Sequence, residues 1–225
     1  NHEFNAVAWA TPHPSHPGEH LRPHTAKNRH QHHAFLEQVG EGSPLHQEVI
    51  DWCRTLPLYL DLPELRAVHA CWHPVHITTL SRELDDRQRL PADAWGRATT
   101  EGNALFDAVE TTLKGQEIEL PDGAGFHDKD GHHRRHVRTR WWQSTPATYR
   151  SVALIPDSAR ATVPSQPLPD GLLPGYQGDK PVFVGHYWLS GTPAPLSERV
   201  ACLDYSIAAR LGGRLAAYRW DGRHP

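Results

Sequence analysis

Methionine is absent from all 225 residues, and cysteine occurs only three times. The first absence means that Asn1 is not an initiator, and the chain is expected to be the carboxyl-terminal part of a longer protein. The second excludes a disulfide scaffold. Cys53, Cys71 and Cys202 show no short paired spacing, and each sits inside an apolar run, as reduced, buried thiols of a cytoplasmic protein do. No apolar run approaches the roughly 20 residues that cross a bilayer. Charge of one sign is also lacking: the formal net charge is −3. With a pI near 6.7 there is no general pull toward a nucleic acid polymer or an anionic membrane, so any attraction for phosphate must be local. Neither an internal repeat nor a phosphate-binding loop signature is present, and no signal peptide is visible.

What is present is ordinary in bulk, with 38% hydrophobic and 22% charged residues, enough for a folded core. It is unusual in its 18 histidines and 20 prolines. The histidine that stands out chemically is His186. Pro181 opens the run Val182-Phe183-Val184, β-branched and aromatic, which reads as a short strand buried on both faces. Gly185 is expected to turn the backbone sharply there, leaving His186 at the carboxyl edge of a sheet, where ligands of α/β proteins collect. Arg66 to Trp72 is a second strand-like run, with His69 placed on the strand itself. A core histidine bonded to a backbone carbonyl is the alternative for that residue.

Around these runs the chain reads as mixed α/β. Phe4 to Ala10 predicts a helix directly after Asn1-His2-Glu3, its free N–H groups favouring an anion. Thr11 to Arg29, with four prolines and a glycine, reads as a loop crowded with histidines, from which Arg22 or Lys27 could meet phosphate. Ser43-Pro44 is a helix start, and Leu45, Val49, Trp52, Cys53 and Leu56 fall on one face that would cover a sheet. Leu58 to Leu62 and Arg66 to Trp72 read as a hairpin joined at Pro63-Glu64. Thr78 to Arg97 reads as solvated helix and loop, Thr100 to Lys114 as a helix burying Leu105, Phe106, Val109 and Leu113, and Ser158 to Gly178 as a linker. Arg199 to Tyr205 and Arg214 to Trp220 read as late strands. Asp204 among them calls for a structural hydrogen bond ahead of a catalytic role.

From Phe126 to Trp142 basic residues concentrate, with Asp128, Lys129 and Asp130 among them, and two indoles follow. Arg138 and Arg140 alternate with Val137 and Thr139, as on a strand with one basic face. Guanidinium forks grip phosphate and an indole face stacks on a base, so Arg138, Arg140, Trp141 and Trp142 are candidate substrate-binding residues. The alternative is a solvated charge run with the Trp pair anchoring a lobe to the core.

Asn1-His2-Glu3, Val68-His69-Ala70 and Val184-Gly185-His186, in that order, with Ala201 to Ser206 and Gly212 to Leu215 after them, resemble the later motifs of calcineurin-like metallophosphoesterases. The likeness is to the bacterial branch near symmetrical diadenosine tetraphosphate hydrolases and serine/threonine phosphoprotein phosphatases, and runs nearly end to end. It implies a single domain over residues 1–225, an α/β/β/α double-sheet sandwich flanked by helices, with residues 92–178 as a cap and the first βαβ unit missing. It further implies phosphate ester or phosphoanhydride hydrolysis by two divalent metal ions (Mn²⁺, Fe²⁺, Zn²⁺ or Co²⁺), acting on a phosphorylated small molecule, a nucleotide or a phosphoprotein. Asn1, His69 and His186 would be metal ligands and His2 the proton donor to the leaving oxygen. The family's Asp-x-His and Gly-Asp-x-x-Asp motifs do not occur at any plausible place ahead of these, so this chain would supply part of the site. A non-catalytic, His-rich protein binding divalent metals is the alternative function.

Overall fold

Helices and strands segregate in the computed structural model, which describes every residue except 122, 128–130, 144–146, 174, 210–211 and 223–225. Asp128, Lys129 and Asp130 of the charged run therefore lie outside the described residues. The chain divides into two compact units, Asn1–Tyr59 with Pro74–Glu110, and Leu60–His73 with Thr111–Pro225. The stretch 92–178 is shared between them.

The first unit is helical. It holds α1 (His2–Ala10), α2 (Ala26–Val39), α3 (Pro44–Arg54), α4 (Pro74–Glu83), α5 (Trp95–Ala98) and most of α6 (Ala104–Lys114). Helix α3 starts as its sequence requires: Ser43 is the N-cap, its hydroxyl accepts from the His46 N–H, and Pro44 fills the first turn. Its buried face agrees with the expected one at Cys53 and differs elsewhere. Leu45 and Trp52 are 49% and 57% exposed, while His46, Ile50 and Cys53 are buried. The helix packs chiefly on α1 and α2, where a sheet was expected beneath it. Two further expectations are corrected here. Helix α1 begins at His2, which places His2 and Glu3 inside its first turn. The proline-rich loop ends at Thr25, whose side chain caps α2, so His30, His32 and His33 ride on a helix. In α6, Leu105, Ala108, Val109 and Leu113 form the buried stripe, with Phe106 only half-buried.

The second unit is built on a four-stranded sheet in the order β1-β2-β7-β8, with β1 (Tyr59–Asp61), β2 (Arg66–Val68), β7 (Val182–Val184) and β8 (Val200–Cys202). The link from β1 to β2 is too short for a parallel crossover, and the Leu62 N–H closes it on the Leu65 carbonyl at 2.9 Å. Strand β7 runs parallel to both neighbours, pairing Arg66 with Val182 and Val184 with Cys202. Val182 and Val184 are 0% and 3% exposed, the double burial that a parallel strand needs. Three two-stranded sheets are also described in this unit. Strand β3 (Glu117–Glu119) pairs with β6 (His136–Arg138), β4 (Phe126–His127) with β5 (His133–Arg134), and β9 (Asp204–Tyr205) with β10 (Arg214–Leu215). The late strand expected over Arg214 to Trp220 pairs only at Arg214 and Leu215. A short helix, α7 (Tyr149–Val152), precedes the expected linker region, and a 3₁₀ segment (Asp157–Thr162) runs into its start. The architecture is mixed α/β with several small sheets, none of which closes into a barrel among the described residues. No described helix is long and apolar enough to cross a membrane. All three cysteines are free and buried.

Candidate functional site

Parallel pairing of β2 with β7 brings the carboxyl ends of both strands to one edge, and a histidine follows each. His69 comes directly after Val68, one residue beyond the strand that was expected to carry it. Its carbonyl accepts from the Gly185 N–H at 2.9 Å, which extends the ladder one step and locks the two ends in register. His186 Nδ1 then lies 3.3 Å from His69 Nε2, the rings meeting edge to face with centroids 5.1 Å apart.

The turn that aims His186 is not made by glycine. Gly185 has an ordinary backbone, whereas His186 itself takes φ 69°, and Trp188 follows at 48°. Such angles are uncommon for non-glycine residues and persist where surroundings impose them. Asp204 is one such restraint. Its carboxylate accepts from the Trp188 N–H at 3.3 Å and the Ser206 N–H at 3.0 Å, holding the chain just past His186. That is the structural hydrogen bonding expected of it.

Behind the pair lies an aromatic floor. Tyr187 donates its hydroxyl proton to the Ala70 carbonyl at 2.8 Å and accepts from Trp141 Nε1 at 2.8 Å. Burial pushes the Tyr187 phenol well above its ordinary range, so it stays neutral. Trp141 Nε1 also reaches the Ala70 carbonyl at 3.0 Å, and Trp142 stands edge-on to Tyr187 at 5.3 Å. Trp141 and Trp142 are 3% and 6% exposed. Both indoles are thus packed into this unit, as the anchoring alternative read from sequence has it.

Arg138 approaches the pair from β6. The expected alternation holds, with Val137 and Thr139 fully buried and Arg138 and Arg140 half-buried between them. Arg138 Nη1 lies 3.2 Å from His186 Nε2, and its Nη2 reaches Glu117 Oε1 at 3.2 Å. Glu117 sits directly opposite on β3. Arg138 depends on a close approach at Gly115, whose φ is +91° and where a Cβ would stand 2.9 Å from the Tyr187 hydroxyl and 3.2 Å from Arg138 Cδ. Arg140 has other neighbours. Burial lowers its pKa, with Arg160 lowering it further and Asp157 opposing them.

Two functional neighbours escaped the sequence reading, Glu117 and Tyr187. Glu117 had a usable signal, since Glu117-Ile118-Glu119 alternates acid with apolar as β6 alternates base with apolar. Tyr187 follows His186 directly, but nothing in its spacing shows that it bonds Ala70.

Asn1 and His2 belong to the first unit. Asn1 stands at the N-cap of α1 without a side-chain capping bond, and His2 is exposed in the first turn. Nearby in that unit, Arg22 Nη2 donates to Gln31 Oε1 at 2.8 Å. Its pKa is lowered by burial, against the pull of Glu110.

Among the described residues, no group of three or more His, Cys, Asp or Glu side chains is placed to hold a metal ion. The His69–His186 pair therefore offers two ligands. Their spacing fits that use. Two nitrogens each about 2.0–2.1 Å from one ion, at angles between square and tetrahedral, lie roughly 2.8–3.4 Å apart. Neutral imidazole also suits the first-row divalent ions. No model of a protein family matches the chain, and a search of curated proteins found no match.

Proposed function

We propose that this protein takes part in metal-dependent hydrolysis of phosphate esters or phosphoanhydrides, with His69 and His186 as two ligands of a divalent ion. The observation that supports the reading is the 3.3 Å approach of two imidazole nitrogens at the carboxyl edge of parallel strands, with a guanidinium beside them. The double-sheet sandwich of metallophosphoesterases, with residues 92–178 as a cap, belongs to this proposal, and so do Asn1 as a further ligand and His2 as proton donor. Those assignments rest on the resemblance of the motifs.

The divalent ion would supply Lewis-acid stabilisation of the charge on phosphate. The chain's own groups do the rest. His69 and His186 hold the ion through their lone pairs. Arg138 offers N–H donors to phosphate oxygens. Tyr187, Trp141 and Trp142 close the floor beneath, keeping water from that side and strengthening charge interactions above it. The substrate class is a phosphorylated small molecule, a nucleotide or a phosphoprotein.

The test is calorimetric. The wild-type chain should bind Mn²⁺, and His186→Ala or His69→Ala should weaken that binding by tenfold or more. In Mn²⁺ the protein should release p-nitrophenol from p-nitrophenyl phosphate and lose that turnover with His186→Ala. Mn²⁺ affinity indifferent to both substitutions would sink the assignment.

One observation favours a second reading, a non-catalytic binder of divalent metals. In the loop after α1, the Nδ1 atoms of half-buried His13 and exposed His16 stand 2.9 Å apart. That reading expects several weak ions whose number falls when His13 and His16 are replaced, and no phosphate release.

A further inference from the structure

The chemistry of guanidinium assigns proton positions in the His69–His186 pair. Arg138 carries only N–H donors. His186 Nε2, 3.2 Å from Arg138 Nη1, must therefore present its lone pair. In the neutral ring the proton then resides on Nδ1, the atom that faces His69 Nε2, which accepts it. A shared cation demands the reverse arrangement. It takes lone pairs from His186 Nδ1 and His69 Nε2, and the His186 proton moves to Nε2, where it points at the Arg138 donors. Donor then meets donor across 3.2 Å.

We propose that Arg138 is a positioning residue that holds His186 in the tautomer opposed to metal, and that a tetrahedral oxyanion removes the opposition by drawing the guanidinium to itself. Cation and anion then bind cooperatively, each raising the affinity of the other by the same factor. The proposal rests on the reading of the pair as a cation site. Arg138 is suited to the exchange. Its Nε is buried with no hydrogen-bond partner among the described residues, so one edge of the fork remains to be used. Its other arm is held by Glu117 at 3.2 Å, with side chains 33% and 48% exposed, a pair weakened by solvent screening. An oxyanion takes two parallel N–H donors from the fork, which His186 cannot.

Three measurements on the full chain decide it, with sulfate as the oxyanion and Mn²⁺ as the cation. In calorimetry, Arg138→Met, which keeps the apolar stem, should bind Mn²⁺ about tenfold more tightly than wild type without sulfate. Sulfate should tighten Mn²⁺ binding by a similar factor in wild type and leave Arg138→Met unchanged. In metal-free wild type, nitrogen NMR of labelled histidine should show His186 protonated at Nδ1, with Arg138→Met shifting the ring toward a mixture of tautomers. Equal Mn²⁺ affinities for wild type and Arg138→Met, or a wild-type His186 already protonated at Nε2, overturn the proposal. The functional reading survives both results while His186→Ala still abolishes Mn²⁺ binding. Mn²⁺ binding indifferent to His186→Ala overturns both together. Should Arg138→Met fail to fold, the sulfate effect and the tautomer of wild type decide the matter alone.

Discussion

Trp141→Ala is expected to lower stability by about 3–5 kcal/mol, the usual range for deleting a buried Trp side chain. The indole is 3% exposed, so removal forfeits its burial and opens a cavity beside Tyr187. The loss exceeds packing alone. Trp141 Nε1 donates to both the Ala70 carbonyl and the Tyr187 hydroxyl, and each acceptor would lose a partner in a dry setting. Urea denaturation followed by circular dichroism measures the effect. It also decides between two uses of the indole. A base-stacking Trp would lose nucleotide affinity at nearly unchanged stability, whereas an anchoring Trp loses stability first. A loss below about 1 kcal/mol would contradict the buried position.

Acid should weaken the helical unit through His32. This imidazole is 6% exposed, with no hydrogen-bond partner at Nε2. Burial, and then Arg22, His46 and His2, lower its pKa from 6.5 to about 4, against a smaller opposing pull from Glu41. The sign follows from which state takes the proton. Above pH 6.5 His32 is neutral folded or unfolded, and its contribution is fully present. As pH falls from 6.5 toward 4 the unfolded chain takes up a proton that the folded chain refuses, and about 3 kcal/mol is lost across that window. Below pH 4 the loss levels off. Stability of wild type and His32→Leu, compared at pH 7 and pH 4.5, isolates this group from the other histidines. Wild type should lose most of those 3 kcal/mol relative to the variant. Parallel losses in both proteins would show that His32 does not titrate this way.

The strand over Val182–Val184 was legible because a parallel strand buried on both faces needs an uninterrupted apolar run, and few short stretches meet that demand. Ser43-Pro44 was legible for a local reason, since a cap and a first-turn proline act within one turn. Helix α2 was hidden. Its AKNRHQHHAFLEQV has little apolar periodicity, and only His32 and Leu36 are buried, so packing upon α3 decides what periodicity does not. The buried face of α3 matches the expected one only at Cys53, for a related reason. Leu45, Val49 and Trp52 repeat at helical spacing, yet the neighbouring helices cover His46 and Ile50, and only the fold determines which stripe a neighbour covers. At the candidate site, His69 and His186 were each visible as a histidine at the end of an apolar run. Their partner Arg138 was visible as one base in a basic stretch, but its contact with His186 joins positions 48 residues apart. No local rule carries that information.

The positive φ of His186 sets durability against use. A left-handed backbone costs a side-chain-bearing residue about 1–2 kcal/mol, and glycine at this corner would lift that burden while leaving the sheet edge without its imidazole. Random variants chosen only for heat resistance would drift toward the smaller residue here. Lineages that depend on what happens at this edge would retain the histidine, and with it a fold somewhat less stable than its own backbone permits.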